Sequence, residues 1–124
     1  MRFRFLVTSA ALVLGVLVTL TVAAASPAKT QVVRTTNVQV VMTEYAFRLS
    51  KNVVPRGRVV FTVINRGDLG HDFVIGAVNK KTPVLQAGGK RTLVVTFKKR
   101  GRFLYICSVG EHFLHGMKGT LRVR

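Results

Sequence analysis

"RTLVVTFKKRGRFLYIC" (residues 91–107) is the stretch whose reading decides the fold. Arg91–Phe97 and Arg102–Cys107 are rich in β-branched and aromatic residues, which suit a pleated, half-buried surface. Lys98–Gly101 lies between them, and Gly101 offers the positive φ that a tight hairpin turn needs. Outward from this hairpin the same period of two recurs. "NVQVVMTEYAFRLS" (37–50) predicts a strand and a second short one near Tyr45–Leu49. "VVPRGR" (53–58) supplies Pro and Gly for a turn. "RVVFTVIN" (58–65) reads as a strand, "RGDLG" (66–70) as a loop and "HDFVI" (71–75) as a short strand. "GAVNKKTPVLQAGGK" (76–90) reads as a longer connection, and "GTLRVR" (119–124) as the last strand. Seven or eight short strands spaced by turns, with no helix after residue 25, predict an all-β antiparallel sandwich or barrel.

The N-terminal 25 residues stand apart. Arg2 and Arg4 precede an apolar run from Phe5 to Val22, and Ala23–Ala25 offers a small-residue cleavage site. That pattern reads as a secretory signal peptide, and the run is nearly long enough to remain as a membrane anchor. Either way the domain lies outside the cytoplasm: periplasmic, secreted, or anchored on the outer face of the membrane. Residues 26–36 are polar and aperiodic and read as a linker, which leaves 37–124 as the folded domain. Cys107 is the only cysteine, so no internal disulfide can brace that domain. A lone cysteine in an exported chain calls for an intermolecular partner, a reactive thiol or a metal.

The chain carries 20 Lys+Arg against 4 Asp+Glu, a formal net charge of +16. Nucleic acid is the usual partner for such a balance. Export argues against it, as does the shortage of aromatic residues among the basic ones, since bases need stacking platforms. An acidic protein, an anionic lipid surface or an envelope polymer fits better.

Soft donors gather beside the last strand. In "CSVGEHFLHGM" (107–117), four residues separate Cys107 from His112 and His112 from Met117. Gly110 and Gly116 let the chain turn back so that the three side chains meet. A structural zinc site takes four Cys or His ligands, whereas a thioether points to copper. The copper arrangement with such donors is trigonal, two His and one Cys, with a long axial Met. His71, at the start of "HDFVI", supplies the second histidine. His115 is surplus to that set and reads as a solvated residue. Asn65 either closes a turn or braces the His71 loop.

These residues resemble the cupredoxins, the type 1 blue copper proteins of the plastocyanin and azurin kind. "CSVGEHFLHGMKGTLRV" is similar to the family's Cys-x4-His-x4-Met closing motif. "NRGDLGHDFVI" is similar to its first-histidine segment, and "TEYAFRLS" resembles the opening strand of bacterial members. The likeness covers most of residues 37–124. It implies a Greek-key sandwich, His71, Cys107 and His112 as equatorial copper ligands, Met117 as the axial one, and one-electron transfer between redox partners. It also implies a partner docking near His112, where Phe113 and Leu114 supply apolar surface and the basic charge steers an acidic partner. The carrier is expected to be a monomer. Asp72 stands where the family commonly has Asn. It can accept from Ser108 but not donate, and its charge beside the thiolate implies an altered potential. Gly110-Glu111 stands where relatives often have Pro-Gly, with the loop length kept. The competing reading is a copper-delivery module without redox turnover. An enzyme of the multicopper oxidase or nitrite reductase kind needs further copper centres, for which three histidines in one domain do not suffice.

Overall fold

A computed structural model describes residues 34–124. The expected signal peptide and nearly all of the expected linker lie outside the described residues. The strands are β1 (Thr35–Thr43), β2 (Ala46–Leu49), β3 (Val53–Val54), β4 (Gly57–Asn65), β5 (Val74–Ile75), β6 (Lys80–Lys81), β7 (Lys90–Phe97), β8 (Gly101–Ile106) and β9 (Lys118–Val123). Among the described residues the only helical piece is a 3-10 turn at Gly76–Val78, and no helix is long and apolar enough to cross a membrane.

The strands form two sheets, ordered β2-β1-β4-β7 and β3-β9-β8-β5-β6. Alternation explains why they stack. Val38, Val40 and Met42 of β1 point inward, as do Val59, Phe61 and Val63 of β4, and all six are at most 1% exposed. Leu121 and Val123 of β9 meet them from the other sheet. Phe61 sits in the middle, its ring 5.4 Å from that of Phe73 and 6.4 Å from that of Phe97. Truncating it to alanine would cost about 3–5 kcal/mol, the usual range for a buried aromatic.

The all-β sandwich agrees with the sequence reading, with four differences. First, the sheets are not purely antiparallel: β1 runs parallel to β4, and β3 parallel to β9. A parallel pair needs a crossover of about a dozen residues. The segment between Thr43 and Gly57 provides it by adding β2 to one sheet and β3 to the other. Second, Lys80–Lys81 forms an edge strand on β5 inside what reads as a connection. Third, β1 begins at Thr35, inside the expected linker, because Thr35 and Thr36 already pair with Arg58 and Val59. "HDFVI" is also less regular than expected. Only Val74 and Ile75 join the sheet, while His71 forms an isolated bridge to Leu85.

The registers place the ends of β1, β4 and β8 and the starts of β7 and β9 at the same end of the sandwich. The loops that carry His71 and the Cys107–Met117 segment leave from this end.

Candidate metal centre

Cys107 directly follows β8 and Met117 directly precedes β9. The β8–β9 ladder continues through them: the Cys107 N–H donates to the Met117 carbonyl at 3.1 Å. Between them the chain makes consecutive tight turns, with the Met117 N–H returning to the His112 carbonyl at 3.0 Å. Gly116 adopts φ +93°, a conformation that strongly favours glycine and lets the loop re-enter β9. The segment therefore folds back, and Cys107 and Met117 are both fully buried.

His71 arrives from the other loop and is held from several sides. Its backbone N–H and carbonyl both pair with Leu85, at 3.0 and 2.7 Å. Asn65, fully buried, anchors that arrangement. Its Nδ2 donates to the carbonyls of Leu69 and Leu85, both at 2.7 Å, and its Oδ1 accepts the Gly67 N–H at 2.9 Å. The question left open by the sequence thus resolves as bracing: Asn65 ties both flanks of the His71 loop together.

Glu44 completes the hold. Its Oε1 accepts from the Leu69 N–H at 2.7 Å and faces His71 Nε2 at 2.9 Å. The Leu69 N–H, followed by the hydrogen bond to His71, pulls the Glu44 carboxyl down to about 2. An ionised carboxylate at Nε2 keeps the proton on that nitrogen and leaves the Nδ1 lone pair free. A carboxylate behind a ligating histidine fixes both tautomer and ring orientation in this way. Gly67 makes the contact possible, since a Cβ there would overlap the Glu44 carboxylate.

The donor atoms converge. His71 Nδ1 lies 3.1 Å from His112 Nδ1 and 3.8 Å from Cys107 Sγ, and His112 Nδ1 lies 3.5 Å from the same sulfur. A circle through the corners of that triangle has a radius of about 2.0 Å, the length of a metal–imidazole bond. The residues present therefore fit a single ion with trigonal N, N, S donors. Among the described residues these three form the only such cluster of His, Cys, Asp and Glu.

Burial pushes the Cys107 thiol upward, opposed by the backbone N–H groups of Asp72 and Val109 beside the sulfur. Burial, then the charge of His71, holds His112 below the ordinary imidazole range. Both effects favour the uncharged form of each group in the empty site, and a bound cation would displace the thiol proton. Asp72, 4% exposed, accepts from the Ser108 N–H at 2.6 Å and from its hydroxyl at 2.5 Å. It thereby joins the two ligand loops.

Of the four residues expected as ligands, His71, Cys107 and His112 come together as donors. Met117 is buried and bonded through its backbone to both Cys107 and His112. His115 lies outside the cluster and stacks on Tyr45, with ring centroids 4.8 Å apart. Tyr45 also meets His112 edge-on at 5.0 Å. Glu44 and Tyr45 escaped the sequence reading because "TEYAFRLS" looks like plain strand. The available signal was that Glu44 is one of only four acidic residues in a strongly basic chain.

A profile of the cupredoxin-like domain matches residues 10–123. No curated protein sequence matches the chain. Among solved structures, reduced auracyanin from the photosynthetic bacterium Roseiflexus castenholzii is similar at 22% identity and TM-score 0.63. The match covers 72% of this chain and 97% of that one. The periplasmic domain of cytochrome oxidase subunit II (CoxB) of Bradyrhizobium japonicum is similar at 17% identity and TM-score 0.60, over 72% of this chain and 83% of that one. A copper-containing nitrite reductase from Thermus scotoductus SA-01 is similar at 28% identity and TM-score 0.51, over 70% of this chain but only 22% of that one. With the fold, the converging donors and the profile in agreement, the chain belongs to the cupredoxin-like domain family, whose members bind copper.

Proposed function

We propose that this chain is an extracytoplasmic carrier of single electrons, with His71, Cys107 and His112 as equatorial copper ligands and Met117 as the axial one. Bound there, copper supplies the Cu(II)/Cu(I) couple. The observation that carries the reading is the triangle of two Nδ1 atoms and one Sγ, already at ligand spacing. Asn65, Glu44 and Asp72 hold those donors through hydrogen bonds, so little rearrangement accompanies a change of charge. Such a site favours electron transfer over turnover, and among the described residues it is the one cluster of this kind. The signal-like N-terminus supports export.

The port for the electron is the His112 edge. Around it, Tyr45, Leu69 and Leu114 are 37%, 45% and 75% exposed, and Lys118 sits over the Phe113 ring at 4.6 Å. We place the partner on this apolar patch, near His112, Phe113 and Leu114. An acidic partner stays part of this reading: Lys118 stands at the patch itself, although Glu44, Asp68 and Glu111 lie at the same end and weaken the field there.

The test is a titration of the copper-free protein with Cu(II), followed by optical and paramagnetic-resonance spectra. An intense thiolate-to-copper band with narrow hyperfine splitting is expected, and Cys107→Ser should abolish it. A colourless protein that takes up only Cu(I) would replace the carrier by a delivery module.

A further inference from the structure

Acidic residues occupy only one end of the described sandwich. All four acidic residues sit at the metal end. Glu44 is in the β1–β2 turn, Asp68 and Asp72 flank the His71 turn, and Glu111 lies between Cys107 and His112. The opposite end holds only cations among its charged side chains. Arg100, Arg102, Arg122 and Arg124 line a surface cavity of about 570 Å³ where β8 begins and β9 ends. Lys98 and Lys99 of the β7–β8 turn adjoin it. Arg34, Arg56 and Arg58 belong to the same end, since Thr35 pairs with Arg58 and the Arg56 N–H donates to the Arg124 carbonyl at 3.0 Å. All nine are exposed.

This end is maintained against its own repulsion. Arg102 and Arg122 are directly opposed cross-strand partners, an arrangement that destabilises a sheet. Among the described residues no lysine or arginine pairs with a carboxylate. An uncompensated cluster of this kind is relieved by an external anion. The cations lie on turns and strand ends at one end of a sandwich, so they can meet a plane together. The chain also enters the described domain at Arg34, on this same end, and the residues preceding it include the apolar run Phe5–Val22.

We propose that this arginine-rich end docks on an anionic lipid bilayer. The copper end then points away from the membrane. β4 spans nine residues, about 30 Å at strand rise, so the His112 port is held roughly that far from the headgroups and open to a soluble partner. The attraction acts within about 8 Å at physiological salt, so the metal end contributes little to it.

The test uses the full copper-loaded chain and vesicles of phosphatidylcholine with or without phosphatidylglycerol. The readout is the ratio of partitioning into anionic and neutral vesicles, which cancels any uncharged insertion by the N-terminal segment. Each basic residue at a membrane surface is worth about fivefold in partitioning. R100Q/R102Q/R122Q/R124Q should therefore lower the ratio by several hundredfold, four factors of about five. The charge-matched R48Q/K80Q/K81Q/R91Q should lower it much less, and the all-lysine version of the first variant should restore it. Melting curves and the visible band, expected unchanged, separate loss of docking from loss of fold. Equal falls for the two glutamine variants would replace the docking end by diffuse net charge and overturn the proposal. Soluble polyglutamate that strips the protein from anionic vesicles at matched charge would overturn the bilayer in favour of an acidic polymer. Because the readout needs no electron transfer, it can fail while the copper reading stands, and the reverse.

Discussion

Asn65→Ala removes three hydrogen bonds at once, two from Nδ2 at 2.7 Å and one to Oδ1 at 2.9 Å. The three partners are not left equally exposed to loss. The Leu85 carbonyl keeps the His71 N–H, and the Leu69 carbonyl sits on a residue that water can reach. The Gly67 N–H is left buried. Two lost bonds at about 1 kcal/mol each and one stranded donor at about 1–3 kcal/mol give a destabilisation of roughly 3–5 kcal/mol. That is a large part of the ~5–15 kcal/mol available to a domain. Unfolding of the copper-free protein in denaturant should report it, with a fall in melting temperature of the order of 10–30 °C. Asn65→Asp sharpens the test. It keeps the shape and the acceptor for Gly67, but turns an oxygen toward two carbonyl oxygens, so it should be at least as damaging as alanine. A loss below about 1 kcal/mol for alanine, or a near-normal Asn65→Asp, would refute the assignment of Asn65 as the brace of the His71 loop.

Three other outcomes follow from the geometry. Asp72→Asn keeps an acceptor for the Ser108 N–H but removes a negative charge beside the thiolate, which favours Cu(II) less. Voltammetry should show the reduction potential rising by on the order of 50–150 mV, where about 60 mV is a tenfold change in a one-electron equilibrium, and a potential that falls would reverse the reasoning. Leu114→Ala removes the most exposed large apolar side chain at the port, so stopped-flow transfer to a redox partner should slow severalfold with an unchanged visible spectrum; an unchanged rate would remove the patch from docking. The copper-free protein should lose stability on acidification in two stages. His112 is depressed in the fold, so below about 6.5 the unfolded chain takes up its proton first. Glu44 falls to about 2 in the fold, so its contribution is intact above about 4.5 and is lost as the pH drops toward 2. A melting temperature that stays level from neutral pH to pH 3 would contradict both.

The segregation of charge bears on how a carrier of this kind would work. A uniformly basic protein would turn every face toward an anionic surface and would hide its port part of the time. Here the acidic residues serve the metal end: Glu44 orients His71, and Asp72 joins the ligand loops. They also reduce the field there. On the proposed reading, a partner meets the apolar surface at His112, while attraction to an anionic bilayer acts through the far end.

The sequence by itself determined the class of fold and the kind of chemistry. Period-two alternation in β1, β4 and β7–β9 specifies which side chains face inward, because a strand has only two faces. The order His71, Cys107, His112, Met117, with glycines between the last three, carries the donor set, because the close spacing within one loop makes their meeting a local matter. The parallel pairing of β1 with β4 was not legible, because register and direction depend on which strands the crossover joins. Nor was the role of Glu44 or Asn65. Glu44 meets His71 across twenty-seven positions, and Asn65 meets Leu85 across twenty. Hydrogen bonds that span such distances leave no local pattern, since each partner looks ordinary within its own segment. The gathering of four scattered acidic residues at one end and nine basic ones at the other is of the same kind: composition records how many charges there are, and only the strand registers decide which end each one occupies.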